Sequence, residues 1–229
     1  MKLSERLKMV VSFVKEGSRV ADVGTDHGYV PITLAEEGTV SHALAMDVRP
    51  GPLERAKTHI SRHRLEDVIE TRLSDGVREL KEGEADTVII AGMGGELVIH
   101  ILDDGKRLWN QVEHWILSPQ SELDKVREYL SVNGFAIARE EMLEEEGKYY
   151  TVMDVVRGEM KDLKPWENLY GPCLIRDRHP VLKEFLDKEE RLLKKIWEGL
   201  TDQEGEGARK RAQELKIQIE WIQEAKREL

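Results

Sequence analysis

The sequence predicts an α/β fold: a Rossmann-like, doubly wound sheet of six or seven strands with an antiparallel hairpin at one edge, followed by a C-terminal α-helical hairpin. Three observations carry this expectation. Short apolar, β-branched runs alternate with stretches of i, i+3, i+4 apolar spacing through the first two-thirds of the 229 residues, which is the rhythm of successive βαβ units. Two later runs are joined by only a few residues, too few for a parallel crossover. After Gly158 the alternation stops and the composition changes.

The elements follow in order. "MKLSERLKMVVSFV" reads as an amphipathic helix with charges throughout, not as a charged stub before an apolar block, so no secretion signal is expected. Strands are expected within "RVADVG", "HALAMDV", "VIETRLSDG", "DTVIIAGM" and "EHWILSP", with helical patterns such as "LVIHILDDG" and "LDKVREYLSVNG" between them. "TVIIAGM" is apolar on both faces, as a parallel strand covered by helices on each side should be. "FAIAREEMLEE" and "YYTVMDVVRG", joined through "EGK", must pair as an antiparallel hairpin. "MKDLKPWENLYGPCLIRDRHP" holds three of the seven prolines and reads as an irregular connector. On either side of "TDQEGEG", Leu182, Leu186, Leu193, Ile196 and Leu200, then Leu215, Ile219, Ile222 and Leu229, recur at coiled-coil-like steps. The expected division is residues 1–158 as a ligand-binding unit and 159–229 as connector and helical hairpin.

Composition excludes several classes. No apolar run nears the roughly 18 residues needed to span a bilayer, so no membrane partner is expected. The single Cys173 cannot form an internal disulfide, and no Cys/His spacing resembles a zinc site, which points to a reducing cytoplasm and no metal. The net charge of −10 argues against a general affinity for nucleic acid. Residues 161–229, however, carry 15 basic and 15 acidic side chains, so the whole deficit lies before them. Within the acidic part, "RAKTHISRHR" holds Arg55, Lys57, Arg62 and Arg64 without an acid; a solvated helix face is the plain reading and a phosphate patch the functional one.

In a doubly wound sheet the ligand lies outside the C-terminal strand ends, where strand order reverses. After the first strand comes Asp22-Val23-Gly24-Thr25-Asp26-His27-Gly28. Its Gly-x-x-x-Gly spacing is not the Gly-x-Gly-x-x-Gly that cradles a pyrophosphate, and the Asp26 carboxylate would repel phosphates. After the second strand comes Asp47, 23 residues beyond Gly24, about where an acid grips ribose hydroxyls. After the third comes "LSDG", with Asp75 placed to accept from an adenine amine. Each acid alone is most simply a turn or cap residue. Together they describe a pocket for an adenosine that lacks phosphates and carries positive charge, which points to S-adenosyl-L-methionine. The fourth strand ends in "IIAGMGGEL", where Gly92, Gly94 and Gly95 either admit a second body beside the cofactor or let a helix start close to the sheet.

"ADVGTDHGYVP", "AMDVRPGPLERA", "LSDGV", "VIIAGMGGELV", "LSPQ", "NGF" and "EEGKYYTV", in this order and spacing, resemble the bacterial tRNA methyltransferases that modify adenine 22 at N1. The resemblance runs through nearly the whole chain, including the C-terminal helical hairpin. It implies a seven-stranded methyltransferase sheet, S-adenosyl-L-methionine as cofactor, tRNA as partner, and methyl transfer to N1 of a D-arm adenine. The cofactor is then expected against Asp22, Gly24, Thr25, Asp26, His27 and Gly28, against Asp47 and Val48, against Ser74, Asp75 and Gly76, and against Ala91, Gly92, Met93 and Gly94. Asp26, as negative potential near the developing charge, and Tyr29, as a stacking or hydrogen-bonding group, are the expected catalytic residues. Gly95 is expected under the entering base. Arg55, Lys57, Arg62 and Arg64, with Lys2, Arg6 and Lys8 of the first helix and "ARKRAQELK" of the last, are expected at tRNA phosphates. The protein is expected to act as a monomer, with a dimer through the C-terminal hairpin as the alternative.

Three other readings stand beside this one. A methyltransferase of another RNA, DNA or a small molecule would share the cofactor half of the site. A non-catalytic nucleotide-binding regulator would not need the strand-end acids, and an NAD-dependent oxidoreductase is disfavoured by Asp26 and the glycine spacing.

Overall fold

The computed structural model describes residues 3–201 and 205–229; Lys2 and part of the "TDQEGEG" turn lie outside the described residues. Seven strands form one sheet in the order β3-β2-β1-β4-β5-β7-β6, bearing out the predicted architecture. They are β1 (Ser18–Val23), β2 (Val40–Asp47), β3 (Ile69–Leu73), β4 (Thr87–Ala91), β5 (His114–Ser118), β6 (Phe135–Glu145) and β7 (Lys148–Arg157). The first five are parallel to one another, while β7 runs antiparallel to both β5 and β6. The central strands are buried on both faces: Val88, Ile89 and Ile90 of β4, and Trp115, Ile116 and Leu117 of β5, have no exposed surface. This is why their sequences read as continuous apolar runs.

The helices of this part are α1 (Glu5–Val11), α2 (Tyr29–Glu36), α3 (Pro50–His63), α4 (Gly95–Asp104) and α5 (Leu123–Val132). α2 and α3 return the chain from β1 to β2 and from β2 to β3, whereas α4 serves the crossover from β4 to β5 in the opposite direction along the sheet. Right-handed crossovers therefore set α2 and α3 on one face and α4 on the other. The direction of winding reverses between β1 and β4, so a crevice opens beyond their C-terminal ends.

The β6–β7 turn is Glu146-Gly147, with φ of 54° and 78°. Positive φ at both central residues is the two-residue turn whose twist matches paired strands. Near the tip of this hairpin, the Glu145 carboxylate accepts hydrogen bonds from the backbone N–H of Glu5 (2.7 Å) and Arg6 (3.3 Å). An acid at a helix N-terminus satisfies unpaired donors and complements the dipole, and here it seats α1 on the hairpin.

The chain divides into two compact units, Met1–Lys161 and Asp162–Leu229. The second contains α6 (Pro165–Tyr170), α7 (Pro172–Arg176), α8 (Pro180–Thr201) and α9 (Glu206–Glu228). The segment read as irregular thus contains two short helices. Pro165 and Pro172 open α6 and α7 at their first positions, where the missing N–H costs nothing. α8 and α9 pack side by side, and Glu190 is bonded to Gln223 (3.1 Å) and Lys226 (2.8 Å). Leu182, Leu186, Leu215, Ile219 and Ile222 of the predicted seam are buried, whereas Ile196 stays 43% exposed, so the seam is tight only along part of its length.

Candidate active site

Two adjoining cavities open at the reversal between β1 and β4. They share Gly24, Asp26, Ala91 and Gly92. The first, of about 310 Å³, is bounded by Asp22 of β1, by Thr25, His27 and Tyr29 after it, by Arg6 of α1, and by Gln120 after β5. The second, of about 400 Å³, is bounded by Asp47, Val48 and Arg49 after β2, Ser74, Asp75 and Gly76 after β3, and Met93, Leu97 and Ile101 after β4.

Asp22 is 4% exposed. Burial pushes its carboxyl up to about 6; the Thr25 hydroxyl opposes the rise and the Asp47 charge adds to it. Thr25 Oγ1 is nonetheless outside hydrogen-bonding geometry and is buried without a partner among the described residues. A desolvated carboxyl beside an unsatisfied hydroxyl suits a polar, positively charged ligand group, because each gains the interaction that burial denied it.

Asp26 has a left-handed backbone, φ 50°, which projects its side chain from the turn between the cavities. Its carboxylate accepts from Arg55 Nη2 at 2.9 Å and lies 3.4 Å from His27 Nε2. Arg55, expected at tRNA phosphates, is therefore the partner of Asp26, and part of the Asp26 charge is already neutralised. The rings of His27, Tyr29 and His59 form a parallel cluster with centroids 5.1–5.6 Å apart. His59 Nδ1 lies 3.0 Å from the His27 carbonyl, which ties α3 to the turn.

In the second cavity, Asp47 is 6% exposed and accepts from the Arg49 backbone N–H at 3.0 Å. Val48 and Leu97, unusually exposed for their types at 57% and 47%, supply apolar walls. Asp75 accepts from Arg78 at 2.7 Å. The Ser74 hydroxyl donates to the Gly76 carbonyl (2.8 Å) and accepts from the Glu79 N–H (3.2 Å), so Ser74 builds the turn instead of reaching outward.

Three expected site glycines have structural work. Gly28 holds φ 74° where a Cβ would meet Ala56 at 3.3 Å, which keeps α2 and α3 close. Gly95 is buried, and a Cβ there would stand 2.6 Å from the Ser121 carbonyl and 2.8 Å from that of Glu122. Gly94 precedes it as the N-cap of α4. None of the three bounds either cavity, and Gly95 lets α4 start against the β5–α5 loop. Gly24, by contrast, faces the cavities directly with φ 75°.

A family model described as a methyltransferase domain matches residues 3–153. The tRNA (adenine(22)-N(1))-methyltransferase of Bacillus subtilis (strain 168) is 32% identical over 230 residues, 98% of this chain and 97% of its own. The chain belongs to the tRNA (adenine(22)-N(1))-methyltransferase family. Among solved structures, Streptococcus pneumoniae Sp1610 in complex with S-adenosyl-L-methionine matches with a TM-score of 0.87 at 35% identity, covering 98% of this chain and 99% of that one. The Bacillus subtilis M1A22 tRNA methyltransferase TrmK matches with a TM-score of 0.87 at 32% identity, covering 98% of each.

In this tRNA (adenine(22)-N(1))-methyltransferase family member, Lys57 and Arg62 border a shallow hollow on α3. Arg64 ends that helix with φ 56°. These three cations have no carboxylate partner among the described residues, unlike Arg55. The cavities also include Arg6, Arg49, Leu97, Ile101 and Gln120, none of which the sequence placed in the cofactor or catalytic set. Gln120 had a signal: it stands two residues beyond a parallel strand that adjoins β4, one of the two strands at the reversal. The Arg6 guanidinium lies over the Tyr150 ring, 5.3 Å from its centroid.

Proposed function

We propose that this protein transfers a methyl group from S-adenosyl-L-methionine to N1 of adenine 22 in tRNA. The observation that carries this reading is the pair of adjoining cavities with different chemistry, one acidic and apolar-walled for an adenosine, one ringed by Asp22, Arg6, Tyr29 and Gln120. When bound, S-adenosyl-L-methionine supplies an electrophilic methyl group on a positively charged sulfur.

The residues present fit that molecule. Val48 and Leu97 suit the adenine faces, Asp47 the ribose hydroxyls, and Asp75 the exocyclic amine, sharing its carboxylate with Arg78. Asp22 and Thr25 suit the amino end of the methionyl group, and the Arg6 guanidinium its carboxylate. Gly24, Asp26, Ala91 and Gly92, common to both cavities, border the place where the two halves of the ligand join. A dinucleotide is disfavoured because its pyrophosphate would lie against Asp22 and Asp26.

Adenine N1 is nucleophilic in its neutral form, so the protein's task is alignment and exclusion of water. Tyr29, backed by His27 and His59, offers a flat face on which an extruded base can stack. Asp26, though paired with Arg55, remains negative enough with Asp22 to favour the positive charge that methylation places on the base. For the tRNA body, Lys57, Arg62 and Arg64 are without a carboxylate partner among the described residues, and α9 carries Arg209 and Lys210 near its start. We assign phosphate contacts to both groups, in an enzyme working in the cytoplasm on tRNA.

The test is incubation with methyl-labelled S-adenosyl-L-methionine and unmodified tRNA, followed by primer extension. The expected result is label in 1-methyladenosine with a stop at position 22. Label elsewhere, or none, would sink the proposal. Tyr29→Ala should lose roughly 1–3 kcal/mol of stacking, while Tyr29→Phe keeps most of the rate.

A further inference from the structure

We infer that Gln120 is a specificity-determining residue, whose carboxamide reads the N6 and N7 edge of the target adenine and thereby leaves N1 free to react. This rests on the function proposed above and adds to it the group that tells adenine from other bases.

Gln120 follows β5, the strand next to β4 on the far side of the reversal. Its backbone N–H donates to the Met93 carbonyl at 2.8 Å, which pins the residue to the loop after β4. Gln120 borders the first cavity together with Tyr29, Gly92 and Arg6. A Cβ on Gly92 would stand 3.8 Å from Gln120 Nε2 and 3.5 Å from Arg6 Nη1, so both side chains reach over the same bare stretch of backbone. Among the described residues the carboxamide has no hydrogen-bond partner, and it is the only side-chain amide that borders either cavity.

The chemistry selects one pairing. A carboxamide offers one acceptor and two donors. Paired with the Watson–Crick edge of adenine it would donate to N1 and block the lone pair that must attack. Paired with the Hoogsteen edge it accepts from N6–H and donates to N7, the usual bidentate match of Gln with adenine. N1 is then left open. Guanine presents acceptors at both O6 and N7, so the carboxamide oxygen would face an oxygen. As N1 takes the methyl group, positive charge spreads to N6, and the hydrogen bond to Gln120 Oε1 strengthens in the transition state. An amide does not take the proton, so 1-methyladenine leaves as the cation without a base.

The test uses the full chain and two tRNAs, one with adenosine and one with 7-deazaadenosine at position 22. Wild type should methylate the second about fivefold more slowly, the loss of one neutral hydrogen bond. Gln120→Ala should lower kcat/KM on natural tRNA by about 10–100-fold and no longer distinguish the two substrates. Gln120→Glu keeps the N6 acceptor but sets a carboxylate oxygen against the N7 lone pair, so it should be slow on natural tRNA and faster on the 7-deazaadenosine tRNA, the reverse of wild type. Affinity for S-adenosyl-L-methionine, measured by calorimetry without tRNA, should be unchanged in Gln120→Ala. Wild type that methylates both tRNAs equally, or Gln120→Ala at full rate, overturns the inference. Wild type that forms no 1-methyladenosine on natural tRNA instead overturns the proposed function.

Discussion

Asp22 sets the chemistry of the first cavity at a cost to the folded protein. Its carboxyl titrates near 6 instead of the ordinary 3.8, so between those values the folded protein holds a proton that the unfolded chain has lost. Stability should therefore fall as pH rises from about 4 to about 6, by on the order of 3 kcal/mol, and stay at the lower level above. Asp22→Asn removes the ionisation and should melt higher than wild type at pH 8 but not at pH 4, as thermal scans across pH will show. The same carboxyl must ionise to attract an ammonium, so the Kd for S-adenosyl-L-methionine should rise as pH falls below about 6; a flat profile would exclude Asp22 from the contact. At this scale the sequence was informative about position and silent about pairing. The strand-end acids stand out because their places follow from strand boundaries. The capture of Arg55 by Asp26, 29 residues away in the chain, and the packing that makes Gly28 and Gly95 obligatory depend on elements meeting in space, which no local pattern records.

Among elements, the most constrained junction is between α5 and β6. Arg127 and Glu140 are 1% and 0% exposed at their side chains, and Glu140 Oε1 accepts from Arg127 Nε at 3.0 Å and Nη2 at 2.9 Å. Removing one member leaves a buried charge, so Arg127→Met or Glu140→Leu alone should cost about 3–5 kcal/mol in urea denaturation. The double variant should recover most of that loss, and equal loss in single and double variants would mean that apolar residues cannot fill the site. The strand "FAIAREEMLEE" looked half-polar, as an edge strand does, and nothing in its alternation marked Glu140 as the inward acid. Proline misled in a similar way. Pro165 and Pro172 are read as breaks because proline ends helices, yet at first positions its fixed φ starts them.

At the scale of the molecule, the strand order was legible because parallel βαβ units with right-handed crossovers leave few alternatives. The reversal between β1 and β4 then told where a ligand would lie, but the wall supplied by α1 and β5 depends on which elements border that point. The charge is unevenly divided: residues 161–229 are neutral and the rest carries the deficit. A chain ending at Lys161 should unfold cooperatively and bind S-adenosyl-L-methionine as the full protein does. Its affinity for tRNA should fall by about tenfold or more, with a shallower dependence on salt because phosphate contacts are lost. Unchanged affinity and salt slope would make the helical hairpin dispensable for tRNA. The attachment of α1 to Glu145 has a consequence of another kind. One lip of the first cavity, α1 with Arg6, is hung from the tip of the antiparallel edge, while Asp22, Asp47 and Ala91 stand at the ends of the parallel strands. Changes at that tip can shift Arg6 while the acids at the parallel strand ends stay in place, so the part of the pocket beside α1 is free to evolve apart from the part that the parallel strands build.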